Sequence, residues 1–204
     1  MLKLYYAPGA CSLAAHIVLE ESGEKYDLQR VNLAKGEQRS EAYLKIHPQG
    51  RVPALQLDSG ENITENTAIL PYLGKRFGLW PKDPLAETRA LSLIGLFAAS
   101  VHPAHAHISR PERYASDPAL FANLQESGRR AFHGYLQQID GLLQERQWLS
   151  QDYSVLDPYA LTFYAWGLRR ELPVAELAHY SAFKDRMLAR GAVARVLADE
   201  NVKV

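Results

Sequence analysis

The sequence holds only one cysteine, Cys11, among 204 residues. One cysteine cannot form a disulfide within the chain, so nothing favours the disulfide-rich class of secreted proteins. Net charge is also absent, because 23 Lys and Arg residues balance 23 Asp and Glu residues, and this gives no support to a nucleic-acid or anionic-membrane partner. No apolar run approaches the length that spans a bilayer, and no apolar stretch followed by a cleavage site opens the chain. We therefore expect a cytoplasmic protein with no nucleic-acid or membrane partner.

The first 77 residues alternate between strand-like and helix-like patterns. Strands are predicted at 2–6, 26–33, 52–57 and 63–64, with helical stripes at 13–23 and 68–73 and a short helix or irregular segment at 40–46. A strand-helix-strand unit implies a parallel pair and the hairpin an antiparallel one, so we expect a small mixed sheet. In the second strand, Tyr26, Leu28 and Val31 are expected to face inward. The pattern is compatible with a thioredoxin-like domain, although periodicity alone does not single out that fold.

Strand patterns end at a stretch with two prolines and a glycine, which is typical of a linker. The segments that follow are helix-periodic, at 85–101, 119–146, 157–170 and 182–198. We therefore predict an α/β domain at 1–77, a linker at 78–85 and an all-α domain at 86–204.

Cys11 stands after the first strand and the Pro8-Gly9 turn, where the first helix begins. Free amide donors and the helix dipole favour a thiolate at such a position, but a lone cysteine is often an inert core residue. Both interpretations stay open on placement alone. Ser12 and Tyr6 are the competing hydroxyl groups, with capping and core packing as their ordinary roles.

Two later segments could bind an extended ligand. Pro53 directly precedes a strand; a trans bond would make it a simple strand-start proline, whereas a cis bond would leave the Val52 backbone free for a ligand peptide. Glu65 and Asn66 open a helix, where a ligand carboxylate would be favoured and Glu65 could hold an ammonium. The alternative is an ordinary helix cap.

Three histidines, His102, His105 and His107, suggest a metal site. However, their spacing does not place all three on one helical face, and Pro103 is expected to interrupt the helix. No cysteine or glutamate completes a known ligand spacing. We therefore predict no metal, and one histidine acting as a donor or base in a cleft.

Taken together, these segments resemble the glutathione transferase superfamily, and in particular its bacterial beta class. The resemblance is carried by four motifs in order along nearly the whole chain: Tyr6-x-Pro8-Gly9-Ala10-Cys11-Ser12-Leu13, Gln49-Gly50-x-Val52-Pro53-Ala54-Leu55, Glu65-Asn66-x-Ala68-Ile69 and the capping box Ser154-x-x-Asp157. Asn66 stands where a serine is common in the superfamily, and Pro158 makes the start of the helix at Asp157 uncertain.

The resemblance implies a thioredoxin-like N-domain with a mixed four-stranded sheet, an all-helical C-domain, a homodimer, and glutathione as the co-substrate. Cys11 and His102 would be the catalytic residues. Residues implied to contact glutathione are Tyr6, Ala10, Cys11, Lys35, Arg51, Val52, Pro53, Glu65 and Asn66. Residues implied to line the electrophile site are His105, Ile108, Tyr114 and Trp166.

Three functions follow as hypotheses. The first is a transferase that conjugates glutathione to small apolar or aromatic electrophiles, as in detoxification, with Cys11 able to form a mixed disulfide with glutathione. The second is a glutathione-dependent disulfide reductase or peroxidase, because a thiolate at a helix start is a competent attacking group. The third is a non-catalytic binding or scaffold protein, which fold alone does not exclude.

Overall fold

A computed structural model describes residues 1–204. Its first part is built from four strands, β1 (Leu2–Tyr6), β2 (Tyr26–Arg30), β3 (Ala54–Gln56) and β4 (Asn62–Thr64). Three helices accompany them, α1 (Ser12–Ser22), α2 (Glu41–Leu44) and α3 (Asn66–Phe77). The strands lie in the order β2-β1-β3-β4. Only β1 and β2 are parallel, so the predicted mixed four-stranded sheet is confirmed.

The sheet buries a different set of side chains on each face, because successive residues of a strand point to opposite sides. Leu4 and Leu55 belong to the main core, together with apolar residues of α1 and α3. Tyr5 and Ala54 belong to a smaller cluster that includes Tyr43 of α2. The sheet therefore lies between α1 and α3 on one side and α2 on the other.

The prediction that Leu28 of β2 faces the core is wrong. Leu28 is 39% exposed, whereas Val31 just beyond the strand is buried. The strand pairs only with β1 and forms an edge of the sheet, so most of its side chains meet no second layer.

The rest of the chain is helical, as predicted. Its helices are α4 (Pro84–Leu96), α5 (His102–Ser109), α6 (Phe121–Leu142), α7 (Leu156–Arg169), α8 (Ala178–Leu188) and α9 (Gly191–Asp199). The single helix predicted at 182–198 is in fact two helices, because Arg190 takes an extended conformation. The division of the chain at residues 78–85 stays a prediction, and α4 begins at Pro84.

The expectation that Pro103 interrupts its helix is wrong. A π-helical turn, Phe97–Val101, joins α4 to α5, so that residues 84–109 form one 26-residue helix. Pro103 lies within the first turn after the π-helical segment, where a widened helix has room for a proline ring. By length and composition alone this helix could also cross a membrane, contrary to the expectation that no segment of the chain is long and apolar enough. In the structure it packs against α6 and α7.

The capping box at the start of α7 forms as predicted. The Asp157 carboxylate accepts from the Ser154 N–H at 2.8 Å and from the Leu149 N–H at 2.9 Å, and the Ser154 hydroxyl accepts from the Leu156 N–H at 3.3 Å. Burial raises the pKa of Asp157 to about 7. These bonds hold a helix whose first twelve residues are all buried.

The two parts of the chain meet through α1. On one side this helix packs against α3, and on others against α7 and α9. The segment that carries Cys11 leads into α1, so the same contacts place the cysteine between the sheet domain and the helical domain.

Candidate active site

A cleft of about 660 Å³ lies between the Cys11 segment and the helices α5 and α7. Most residues predicted for a site meet there, although they come from five separate parts of the chain. The predicted residues that line the cleft are Ala10, Cys11, Arg51, Val52, Pro53, Glu65, Asn66, His102, His105, Tyr114 and Trp166.

The Cys11 thiol lies in the lining of the cleft and contacts the segment before β3. Its Sγ donates to the Val52 carbonyl at 3.2 Å, and it accepts no hydrogen bond from the first turn of α1. Burial raises the pKa of Cys11 to about 12; the positive charges of Arg110 and Arg51 lower it, and the Glu65 carboxylate raises it.

Of the two interpretations left open by the sequence, the raised pKa favours a protonated thiol over a thiolate in the free protein. A helix start lowers a thiol's pKa when the sulfur faces the free amides. Here the sulfur faces a carbonyl oxygen, which accepts a hydrogen bond from a thiol and repels a thiolate. Cys11 is a hydrogen-bond donor at neutral pH.

The Val52-Pro53 peptide bond, left open by the sequence, is cis. Val52 is buried, and its carbonyl is the acceptor for Cys11. Pro53 lies directly before β3 and also lines the cleft. One hydrogen bond thus joins the Cys11 segment to the cis-proline segment.

Glu65 caps α3 with an unusual backbone conformation, φ 70° and ψ 130°. Such a conformation costs a residue with a side chain about 1–3 kcal/mol, and it is kept where the surroundings demand it. Ala68 and Ile69 donate to the Glu65 carbonyl. Asn66 and Thr67 lie too early in the helix to have an intrahelical acceptor. The cleft therefore contains a helix N-terminus with a carboxylate beside it.

Asn66 links this helix to the cysteine segment. Its Nδ2 donates to the Cys11 carbonyl at 2.9 Å, while its buried Oδ1 has no partner. Asn66 thus binds backbone through its amide nitrogen and keeps its amide oxygen free as an acceptor.

The turn before Cys11 is held from both sides at Gly9. Its carbonyl accepts from Trp166 Nε1 at 2.9 Å, and its N–H donates to Glu200 Oε2 at 2.7 Å. Gly9 has φ +64°, and a Cβ there would collide with Nη2 of Arg169. The helical domain thus fixes the position of the cysteine segment, and a positive φ with Arg169 close by favours glycine here.

His102 and His105 are both neutral at physiological pH. Burial and the neighbouring arginines lower the pKa of His102 to about 4 and that of His105 to about 2. The His105 ring stacks on Trp166 with centroids 4.1 Å apart, and its Nε2 accepts from Arg170 Nε at 3.3 Å. His102 contacts Trp166 edge-on at 5.0 Å. No group of three or more His, Cys, Asp or Glu side chains is placed to hold a metal ion.

Three residues predicted for the site lie outside the cleft. Tyr6 lies on the same face of β1 as Leu4, which is the face that packs on α1 and α3. Its ring packs against His16, with ring centroids 5.5 Å apart. Lys35 is exposed in a short 3-10 turn, Leu33–Lys35. Ile108 is buried in the main core, against the helix that carries Gly128.

Sequence reasoning missed the arginines of the cleft. Apart from the predicted Arg51, these are Arg39, Arg110, Arg113, Arg169 and Arg170. The sequence does contain a pattern that indicates two of them. Arg169 ends α7 and Arg170 caps it, three and four residues after Trp166, and such spacings share a helix face.

The sequence matches that of proteins of known type. A family model described as "Glutathione S-transferase, N-terminal domain" matches residues 1–75. Glutathione S-transferase GstA of Escherichia coli O157:H7 is 33% identical over 211 residues, covering 99% of this chain and 100% of that protein.

Two solved structures have the same fold over nearly their whole length. A glutathione transferase homologue from Sulfitobacter, solved with bound glutathione, is 32% identical with a TM-score of 0.92, covering 100% of this chain and 99% of that one. A bacterial beta class glutathione S-transferase from Sphingomonas chungbukensis is 30% identical with a TM-score of 0.86, covering 98% of this chain and 100% of that one. The chain therefore belongs to the glutathione S-transferase family.

Proposed function

We propose that this protein is a cytoplasmic, homodimeric glutathione transferase that conjugates glutathione to small electrophiles with an apolar or aromatic body, in a detoxifying role. One observation carries the proposal. The Cys11 thiol, the Val52 backbone and the N-terminus of α3 with Glu65 line one continuous cleft. Glutathione is an extended tripeptide with a central thiol and a charged end that this arrangement complements.

Each part of glutathione has a partner in this proposal. The ammonium of the γ-glutamyl residue pairs with Glu65. The α-carboxylate of the same residue binds the free amides at the start of α3. The cysteinyl backbone pairs with Val52, beside Ala10 and Pro53. Lys35 lies outside the cleft, so we assign the glycyl carboxylate to Arg39, four residues later, which lines it.

The reaction needs the glutathione thiol to lose its proton to solvent. Its sulfur then forms a bond to the electrophilic carbon, and the leaving group departs with the electron pair of the broken bond. Arg110 and Arg51 are close enough to lower the pKa of Cys11, and a glutathione thiolate beside Cys11 would be stabilised by the same charges. The protonated Cys11 can donate a hydrogen bond to that thiolate.

The electrophile would lie on the side of the cleft formed by the helical domain. Tyr114 and Trp166 supply aromatic surface there, and His102 supplies a neutral imidazole. A neutral histidine can donate a hydrogen bond to the developing charge of the electrophile without first being protonated.

The first test is calorimetry with glutathione, followed by a panel of chloronitrobenzene-type electrophiles, haloaromatics, peroxides and mixed disulfides. We expect binding at millimolar glutathione or below, and Glu65→Gln to weaken it by about tenfold. Glu126→Gln, on the exposed face of α6, is the matched control. Absence of binding at millimolar glutathione would leave only the non-catalytic scaffold function.

The second candidate is a glutathione-dependent disulfide reductase or peroxidase, which is favoured by the free Cys11 thiol in the cleft wall. Here Cys11 first loses its proton to solvent, its sulfur then bonds to one sulfur of glutathione disulfide as the S–S bond breaks, and one glutathione thiolate leaves. Cys11→Ala should lose this activity and keep part of any conjugating activity. Intact mass spectrometry after exposure to glutathione disulfide tests it, and no adduct on the wild type would remove this candidate.

A homodimer is proposed because the superfamily completes its cleft with a second subunit. Sedimentation at micromolar concentration should give twice the chain mass of 22.9 kDa. A monomer under those conditions would contradict a site completed in that way.

A further inference from the structure

The cleft has an unbalanced charge. Six arginines line it, Arg39, Arg51, Arg110, Arg113, Arg169 and Arg170, against two glutamates, Glu65 and Glu112. None of the six forms an ion pair with a carboxylate, although ion pairs occur elsewhere in the protein. The two cleft histidines do not change the balance, because both are neutral. The cleft therefore carries an excess of four positive charges.

Arg110 is the least satisfied of these cations. It is half-buried directly after α5, and its buried Nε has no hydrogen-bond partner. A guanidinium donor removed from water without an acceptor costs free energy. A ligand with an acceptor oxygen would supply the missing partner.

Arg110 also lies near several other groups of the site. Its charge lowers the pKa values of Cys11, His102 and His105. Arg113 is near enough that Arg110 lowers its pKa as well, after the larger effect of burial. Two guanidinium groups that repel each other therefore line the cleft near His102, whose pKa both of them lower.

Glutathione does not neutralise this charge. It brings two carboxylates and one ammonium, and its thiolate adds one further negative charge. Even with the thiolate bound, the cleft would keep an excess of two positive charges. The remaining cations favour a second molecule that is itself an anion.

We propose that the electrophile accepted by this protein carries a carboxylate, which Arg110 and Arg113 bind. The inference rests on the proposed transferase function and deepens it, since the aromatic body contacts Tyr114 and Trp166 while the carboxylate meets the two guanidinium groups. Arginine binds a carboxylate with two parallel hydrogen bonds, so this pairing also orients the electrophile relative to the glutathione sulfur.

The test compares two substrates that differ only in this charge, 4-chloro-3,5-dinitrobenzoate and its methyl ester. In both, the glutathione sulfur bonds to the ring carbon, chloride leaves with the C–Cl electron pair, and the thiol proton goes to solvent. Rates are divided by the uncatalysed rate with glutathione, which removes the difference in intrinsic reactivity. We expect kcat/KM, so corrected, to favour the acid by at least about tenfold.

A binding measurement keeps the test independent of turnover. Calorimetry compares the glutathione conjugates of the acid and of the ester. The acid conjugate should bind at least about tenfold more tightly to the wild type, and raising the salt concentration should reduce this advantage.

Variants assign the effect to the two arginines. Arg110→Gln and the more exposed Arg113→Gln should each reduce the preference for the acid, while Arg110→Lys should retain part of it. Arg130→Gln, whose side chain is 72% exposed on α6, is the matched control and should retain all of it. Thermal unfolding checks that each variant is folded.

The outcomes separate the two proposals. Equal binding of acid and ester conjugates by the wild type overturns the inference and leaves the transferase function intact if the ester is still turned over. A preference that survives in both glutamine variants also overturns it. If neither conjugate binds, the proposed function fails as well.

Discussion

The Glu200 carboxylate, four residues before the last residue of the chain, accepts a hydrogen bond from the Gly9 N–H at 2.7 Å. Its other oxygen is 2.8 Å from His16 Nδ1, and both side chains are fully buried. Since a carboxylate only accepts, His16 Nδ1 carries the hydrogen. The end of the chain thus holds the turn before Cys11 and the helix after it.

Glu200→Ala should destabilise the protein by about 2–4 kcal/mol, because it leaves two buried donors without an acceptor. Glu200→Gln should cost less, since its amide keeps one acceptor oxygen. Urea unfolding measures both. Glu126→Ala removes an exposed partner of Arg130 and should change stability by no more than about 0.5 kcal/mol. A Glu200→Ala protein as stable as that control would contradict this role.

Cys11 should react slowly with iodoacetamide at pH 7 in the free protein, because its pKa is about 12 and only the thiolate reacts. The rate constant should rise about tenfold per pH unit from pH 7 to pH 10, whereas free cysteine levels off near pH 9. Arg110→Gln should slow the reaction further, since it removes the charge that most lowers this pKa. Mass spectrometry of the alkylated protein measures the rate, and a plateau by pH 8 would exclude a strongly raised pKa.

His102→Ala should lower kcat for conjugation by about tenfold or more and leave the Kd for glutathione within about twofold, because a donor to the electrophile acts mainly in the transition state. With a pKa of about 4, His102 should produce no inflection in the rate between pH 5.5 and 7. His179→Ala, exposed on α8, is the control. Steady-state kinetics and calorimetry on the same samples decide, and a large loss of glutathione affinity would place His102 with the glutathione site instead.

His105 should make the folded state less stable as the pH falls. Its pKa is lowered from 6.5 to about 2 by burial first and Arg170 next, so below pH 6.5 the unfolded chain binds a proton that the folded protein does not. Stability should fall by about 1.4 kcal/mol per pH unit between about pH 6 and 4 from this group. His105→Phe keeps an aromatic ring against Trp166 and removes the titration. The stability of the wild type minus that of the variant, from urea unfolding, should show this slope; equal slopes would mean that His105 becomes protonated in the folded protein.

Much of the fold could be predicted from local patterns. The alternation of strands and helices up to residue 77 and the helical periodicity beyond it reflect side chains two or 3.6 residues apart, which a sequence displays directly. The two wrong predictions, at Leu28 and Pro103, have causes that side-chain periodicity does not reveal. Leu28 has a core-like pattern but lies on an edge strand, and Pro103 is accommodated by a π-helical turn that no residue pattern announces.

The sequence by itself determined where the chemistry-bearing groups stand along the chain. Cys11 is the only cysteine and follows a strand and a Pro-Gly turn; Glu65 opens a helix; Val52-Pro53 precedes a strand. Each of these placements depends on neighbours within a few residues. The positions of these motifs at the ends of helices and strands could therefore be predicted from the sequence.

Only the tertiary structure decided what those groups can do. The pKa of Cys11 is raised because the half-buried thiol is largely removed from water and lies against the Val52 carbonyl, 41 residues away. The Gly9 turn is held by Trp166 and Glu200, which are 157 and 191 residues away. Burial and charge–charge interactions depend on which distant segments meet and how much water they exclude, so the protonation of the cysteine and the excess of positive charge in the cleft arise only when the chain is folded.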